Sequence, residues 1–269
     1  MILLNYSDLP EWYKDNEYIK TGYRPVLNSI YNCINSIFSI HNETFNIWSH
    51  MLPILYYFFL SIYSFFDNLS FFHRLLLSIY CIGTSATHLF SVLHHTLLCH
   101  SENMHFRCIT LDYYGITTSM YSSIILLIYM CFYNNFIILI IYISLITFLI
   151  MYLISQLSNV SFYHNDNRIK RSCLLIIISA SFCGPLIHYG SISVDNEYFT
   201  KLIYCCSVTS FLYLISIIIY ANRIPESCIK NKSYFDNIGS SHNIFHILVT
   251  SASLSYYIGV RYMFYYLEY

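Results

Sequence analysis

Charge is what this 269-residue sequence has least of: Asp, Glu, Lys and Arg make up 10% of it, against 57% hydrophobic residues. A soluble domain needs a charged surface, so that scarcity and a mean hydropathy of +0.52 exclude one and point to an integral membrane protein. A basic surplus is also missing. Thirteen Lys and Arg face fourteen Asp and Glu, a net charge of -1, which leaves no electrostatic footprint for nucleic acid. The ten cysteines contain no C-x-x-C pair and lie mostly inside apolar runs; buried thiols are expected, not a disulfide framework. No cleavable signal peptide is legible, because Met1 to Leu4 is too short an apolar run and Asp8 and Glu11 follow at once. A repeated broken-helix pattern, the mark of many transporters, is absent as well.

What is present is apolar sequence in long stretches. A helix needs about 20 predominantly apolar residues to cross the hydrocarbon core. Such stretches fall near 47–66, 74–98, 110–133, 136–158, 172–190, 202–221 and 243–265. The expected fold is all-α: seven transmembrane helices over residues 47–269, after a cytoplasmic N-terminal and juxtamembrane segment over residues 1–46. Leu9-Pro10-Glu11-Trp12 reads as the start of a short amphipathic helix. Tyr31, Ile34, Ile37 and Phe38 have the spacing of a helix lying along the membrane surface. Pro53 and Gly184-Pro185 should kink the spans that hold them. The 29 tyrosines suit membrane interfaces and core positions alike.

Loop charge sets the orientation. With seven spans, one side collects Lys14, Lys20, Arg24, Arg107, Arg168, Lys170, Arg171, Arg223, Lys230 and Lys232, ten of the 13 basic residues. Arg74, Lys201 and Arg261 remain for the other side. Positive residues favour the cytoplasm, so the N-terminus is expected inside and the C-terminus outside. That topology brings Ser91 and His95, Asp112, and His242 and His246 to one depth near the inner leaflet. His242 and His246, four residues apart, share a helical face, as do Ser91 and His95. The face must point into the bundle, because a lipid-facing imidazole has no partners. Two imidazoles give a transition metal only two ligands, and zinc usually needs a third from the protein.

Several stretches together resemble signatures of the progestin and adipoQ receptor family, which is related to haemolysin III. They are Ile40-His41-Asn42-Glu43-Thr44-Phe45-Asn46-Ile47-Trp48-Ser49-His50, His95-Thr96-Leu97-Leu98-Cys99-His100-Ser101, Leu111-Asp112-Tyr113-Tyr114-Gly115-Ile116, Arg223-Ile224-Pro225-Glu226 and Ser241-His242-Asn243-Ile244-Phe245-His246. Their order and spacing match from about Leu9 to Val260, and Leu9-Pro10-Glu11-Trp12 and Asp15-Asn16-Glu17-Tyr18 fit the adiponectin-receptor-like branch. The resemblance implies a multi-pass protein of the plasma membrane or an endomembrane, with an inward N-terminus. It implies Zn2+ held by His95, His242 and His246, with Asp112 linked to a zinc-bound water and Ser91 close by. It further implies ceramide hydrolysis or ligand-triggered signalling. Phe45 stands where many relatives carry Gly, and the long acidic tail of animal receptors has no counterpart before Leu9; both bear on the outer ligand and inner adaptors, not on the metal.

The chemistry is consistent with that pattern. Three neutral imidazoles and an open fourth position describe catalytic zinc, which acidifies water and polarises a carbonyl. Asp112 and Ser91 are the candidate catalytic residues: the carboxylate as general base and then acid toward a leaving amine, the hydroxyl as a hydrogen-bond donor. A site at this depth suits a membrane lipid such as ceramide or a related sphingolipid, entering sideways. The alternative is a membrane signalling receptor in which the zinc is structural and an extracellular ligand controls lipid metabolism. His41, Glu43 and His50 are expected to fasten the juxtamembrane segment to the bundle, and Arg223 and Glu226 to anchor the sixth loop. His88, His94, His100, His105 and His188 receive no role.

Overall fold

The computed structural model describes residues 1–159, 168–229 and 232–269. Lys230, one of the residues used to orient the chain, lies outside them. The described residues are helical, and an isolated antiparallel bridge between Leu4 and Tyr23 is their only β-type pairing. The helices are α1 (Ile30–Asn35), α2 (Thr44–Ser64), α3 (Phe71–Leu97), α4 (Glu102–Phe132), α5 (Phe136–Leu157), α6 (Arg168–Ala180), α7 (Cys183–Ile192), α8 (Asn196–Asn222) and α9 (Ser241–Glu268).

Polar residues between the apolar runs set where the helices begin. Ser70, Ser101, Asn135, Asp195 and Ser240 each accept a backbone N–H from the first turn of the helix that follows, satisfying donors that have no intrahelical partner. These caps explain why α4 starts at Glu102, not near residue 110, and α8 at Asn196, not near 202. The first turns are polar and precede the apolar part of each helix. The expected kink near Gly184-Pro185 is a break: α6 stops at Ala180, and Pro185 occupies the first turn of α7, where its missing N–H costs nothing. Pro53 is accommodated inside α2.

Among the described residues, six stretches are long and apolar enough to cross a membrane: α2, α3, α4, α5, Ile169–Ile192 across α6 and α7, and α8. With 28 residues α9 matches them in length, but His242, His246 and a series of serines make it too polar to join that set. It packs mainly on α8 and also touches α2, α3 and α4. The core between these helices includes Tyr57, Leu77, Tyr80, Leu127, Met130, Leu153, Leu202, Val260, Met263 and Phe264, all buried. By contrast α5 exposes Phe136, Ile137, Ile141, Leu145, Phe148 and Met151, an apolar face that water would not tolerate and lipid does.

The N-terminal segment is more than a lead-in. Its two short 3-10 turns, Tyr6–Asp8 and Glu11–Tyr13, replace the amphipathic helix expected at Leu9. Leu9, Tyr13, Ile19 and Tyr23 form a buried cluster with Cys33, Leu98 and Cys99 at the end of α3. The surface helix read from Tyr31 is shorter than its pattern: α1 passes into a 3-10 turn at Ser36–Phe38. Ile30, Tyr31, Ile34 and Phe38 are exposed there, as a membrane-surface helix requires. All ten cysteines are free, and the Sγ atoms of Cys33 and Cys99 approach to 3.8 Å.

Candidate metal centre

The cluster is built from the last turns of α3 and the first turns of α9. Three devices fix these ends. The fully buried Arg24 reaches from the N-terminal segment to the His95 carbonyl at 2.6 Å and the Thr96 carbonyl at 3.1 Å. A cation at the carboxyl end of a helix answers the negative end of its dipole. At α9 the buried Glu226 carboxylate accepts the Ser241 N–H at 2.7 Å and also the Ser241 hydroxyl, the complementary arrangement at a helix N-terminus. Between α2 and α9, Asn243 Nδ2 donates to Asn46 Oδ1 at 2.6 Å. The His242 and His246 side chains are thereby aimed at His95.

Their Nε2 atoms meet. His242 Nε2 lies 3.1 Å from His95 Nε2 and 3.1 Å from His246 Nε2, and the three potential ligand atoms lie within 4.8 Å of one another. His95 and His246 are buried and His242 half-buried. The other ring nitrogens settle the tautomers. His95 Nδ1 is 2.8 Å from Glu43 Oε2; a carboxylate only accepts, so Nδ1 carries the proton. Ser49 donates its hydroxyl to the Asn46 carbonyl at 3.1 Å, so at 3.0 Å it accepts from His246 Nδ1. A neutral imidazole whose proton sits on Nδ1 presents Nε2 as a bare lone pair. A single N–H on His242 Nε2 cannot serve both, and the remaining lone pair calls for a Lewis acid. Two ligands on tetrahedral zinc, each about 2.0–2.1 Å from the ion, sit roughly 3.3 Å apart. The donor set and its spacing fit one transition-metal ion.

Glu43 and Ser49 were not singled out as partners of the cluster in the sequence. A carboxylate just before an apolar span was the available signal, and fastening the segment was the role it received. It does both: Glu43 also accepts from Asn46 at 2.7 Å and Asn42 at 3.3 Å. Burial alone would raise its pKa, but the bonds from His95 and Asn46 outweigh it and hold the carboxyl below the usual carboxylate range. A carboxylate on the far nitrogen of a ligating imidazole orients the ring and raises its basicity.

Ser91 and Asp112 are neighbours, as their shared depth required. The Ser91 side chain lies close enough to the Asp112 carboxyl to act on it, as does His95. Asp112 is not among the atoms that close on the cluster. His94, one position from His95, points away and packs on His105 with ring centres 5.8 Å apart. His50 and His88 form a buried pair joined through their Nδ1 atoms, with the His50 ring tilted against that of His246, ring centres 3.8 Å apart. Arg223 does anchor the sixth loop, donating to Asn16 Oδ1 at 2.6 Å and to the Asp15 carbonyl.

The haemolysin-III-related family model matches residues 38–257. An adiponectin receptor protein of Drosophila melanogaster is 31% identical over 267 residues, 96% of this chain and 59% of the relative. A progestin and adipoQ receptor-like protein 1 of Caenorhabditis elegans is 32% identical over 97% of this chain and 61% of the relative. An ADIPOR-like receptor of Saccharomyces cerevisiae is 27% identical over 96% of this chain and 83% of its own length. The chain thus spans about three fifths of the length of the first two. With the family pattern covering its helices and cluster, and those similarities running almost end to end, the chain is a multi-pass membrane protein that belongs to the haemolysin-III-related family and is adiponectin-receptor-like within it.

Proposed function

We propose that the protein is a seven-span membrane hydrolase that cleaves a lipid amide, such as ceramide, with zinc held by His95, His242 and His246. The observation that carries this reading is the convergence of the bare Nε2 lone pairs of His95 and His246 on His242, beside the Ser91–Asp112 pair. Zinc at these nitrogens supplies a lowered water pKa, about 7, and a polarised carbonyl. The Asp112 carboxylate takes a proton from the attacking water and returns it to the departing nitrogen. Ser91 fixes the carboxylate for that transfer, and Glu43 keeps His95 in the tautomer that presents Nε2. The seventh span is α9, whose length and packing against α8 support a crossing; the basic residues support an inward N-terminus.

The test is zinc content and ceramide turnover on the same detergent-purified samples. About one zinc per chain is expected. His242→Ala/His246→Ala should remove it, whereas His94→Ala should keep it. Full zinc in that double variant would show the ligand assignment to be wrong.

A second reading makes the zinc structural in a signalling receptor. It draws on the bonds from Arg24 to His95 and from Asn16 through Glu226 to Ser241, which tie the N-terminal segment to the cluster. Removing the metal separates the two readings. A stripped protein that stays folded but loses turnover supports the enzyme; one that unfolds supports the structural role. No turnover in the wild type over a panel of lipid amides supports the receptor.

A further inference from the structure

Beside the cluster, between the N-terminal segment and the facing ends of α3, α4 and α9, is a cavity of about 180 Å³ lined by both His95 and His242. Three side chains lining it, each more than nine-tenths buried, have a polar atom without a hydrogen-bond partner: the Tyr13 hydroxyl, Asn42 Oδ1 and His94 Nδ1. A buried polar atom left unpaired costs about 1–3 kcal/mol, so three on one cavity wall call for a polar occupant. Oδ1 of an amide accepts and cannot donate; the occupant must therefore bring a donor.

Charge points the same way. Four carboxylates line the cavity (Glu11, Asp15, Glu43 and Asp236) against two cations, Lys14 and Arg171. Lys14 is taken up by Glu11 at 2.7 Å, and Arg171 Nε donates to the Tyr113 hydroxyl at 3.0 Å. Asp15 faces Arg223 at 3.6 Å. The remaining two carboxylates are held by neutral donors: Asp236 by the Lys20 N–H and the Thr21 hydroxyl, Glu43 by His95, Asn42 and Asn46. A donor-rich, cationic group suits this wall, and an anion does not.

We propose that this cavity receives the amino-alcohol head of the lipid, and that Asn42 Oδ1 and His94 Nδ1 are its binding atoms. This deepens the hydrolase reading and rests on it for the identity of the lipid. Hydrolysis breaks the amide C–N bond; the water oxygen joins the acyl carbon, and both water protons end on nitrogen. The products are a carboxylate and an ammonium ion. The ammonium and its neighbouring hydroxyls then have donors for every open acceptor of the cavity, and the carboxylate is left toward the bundle interior.

Trp12 lines the cavity and Trp48 is the protein's other tryptophan, so Trp48→Phe leaves one reporter at the site. The zinc-loaded full chain in detergent is titrated with a long-chain 2-amino-1,3-diol, and separately with a fatty acid of matched length, following Trp12 emission. The amino diol should give a saturable change, and the acid one at least ten-fold weaker. Asn42→Leu and His94→Phe should each weaken amino-diol binding about ten-fold or more while zinc stays near one per chain. Asn42→Asp, of the same size and with an added charge, should bind at least as tightly as wild type. Equal affinity for acid and amine, or unchanged affinity in both Asn42→Leu and His94→Phe, overturns the proposal. Binding needs no turnover: a protein that binds the amine but cleaves no amide supports the site and overturns the hydrolase reading. One that cleaves amides but ignores the amine overturns the site alone.

Discussion

At the scale of residues, the far nitrogens of the imidazoles govern the near ones. Because Glu43 holds His95 Nδ1 at 2.8 Å, Glu43→Gln should weaken zinc binding about 10–100-fold, the usual effect of losing such a partner; competition with a chelator measures it. An unchanged affinity would show that His95 is oriented by its helix alone. Asp112 lies beside the cluster but outside it, so Asp112→Asn should keep its zinc and lose amide hydrolysis by about 10²–10⁴-fold. If zinc disappears with activity, the aspartate supports the metal; if turnover is unaltered, it is not the base. Ser91→Ala should lose less, since one neutral hydrogen bond contributes about 0.5–1.5 kcal/mol. The tautomers of His95 and His246 could not be read from the sequence, because Glu43 and Ser49 come from another helix end and meet them only after folding.

At the scale of elements, the crossing of α3 and α4 sets the distance between Ser91 and Asp112. Gly115 sits at the closest approach: a Cβ there would lie 2.9 Å from the Thr87 Cα and 3.3 Å from Phe90. Backbone cannot move aside as a flexible side chain can, so Gly115→Ala should cost about 1–3 kcal/mol, the range for overpacking, seen as a lower thermal midpoint. Wild-type stability in that variant would mean that the helices part freely. The joint before α2 is pH-sensitive. Buried His41 donates Nε2–H to the Ser36 carbonyl and accepts the Glu43 N–H on Nδ1. Burial first, then Arg24, lowers its pKa to about 4 from 6.5. The unfolded chain then binds the proton more readily than the folded one between those values, so this contribution to stability is complete above pH 6.5 and falls as pH drops toward 4. The slope of thermal midpoint against pH in that window should be shallower in His41→Gln; an equal slope would assign it to other groups. The interruption near Gly184-Pro185 and the positions of six apolar stretches were legible, because they follow from local chemistry. The start of α4 was not, because its polar first turns carry no apolar signal.

At the scale of the whole molecule, the distribution of basic residues predicts that in sealed cells an N-terminal tag is protected and a C-terminal tag accessible. Both tags on one side would mean an even number of spans and would deprive α9 of its crossing. The sequence by itself determined the membrane class, since a chain with 10% charged residues cannot cover itself in water, and the pairing of His242 with His246, since four residues along a helix bring two side chains to one face. It also placed the Ser91 and His95 face, for the same reason. The tertiary structure decided which of the twelve histidines converge in one cluster able to hold a metal, that His94 turns to the neighbouring cavity, and that Arg24, Glu43 and Glu226 hold the cluster from outside it. Helices apolar on every side carry no periodic mark of their rotation. Contacts between segments as far apart as Arg24 and His95, or Asn16 and Glu226, exist only once packing has fixed that rotation and brought the loop ends together.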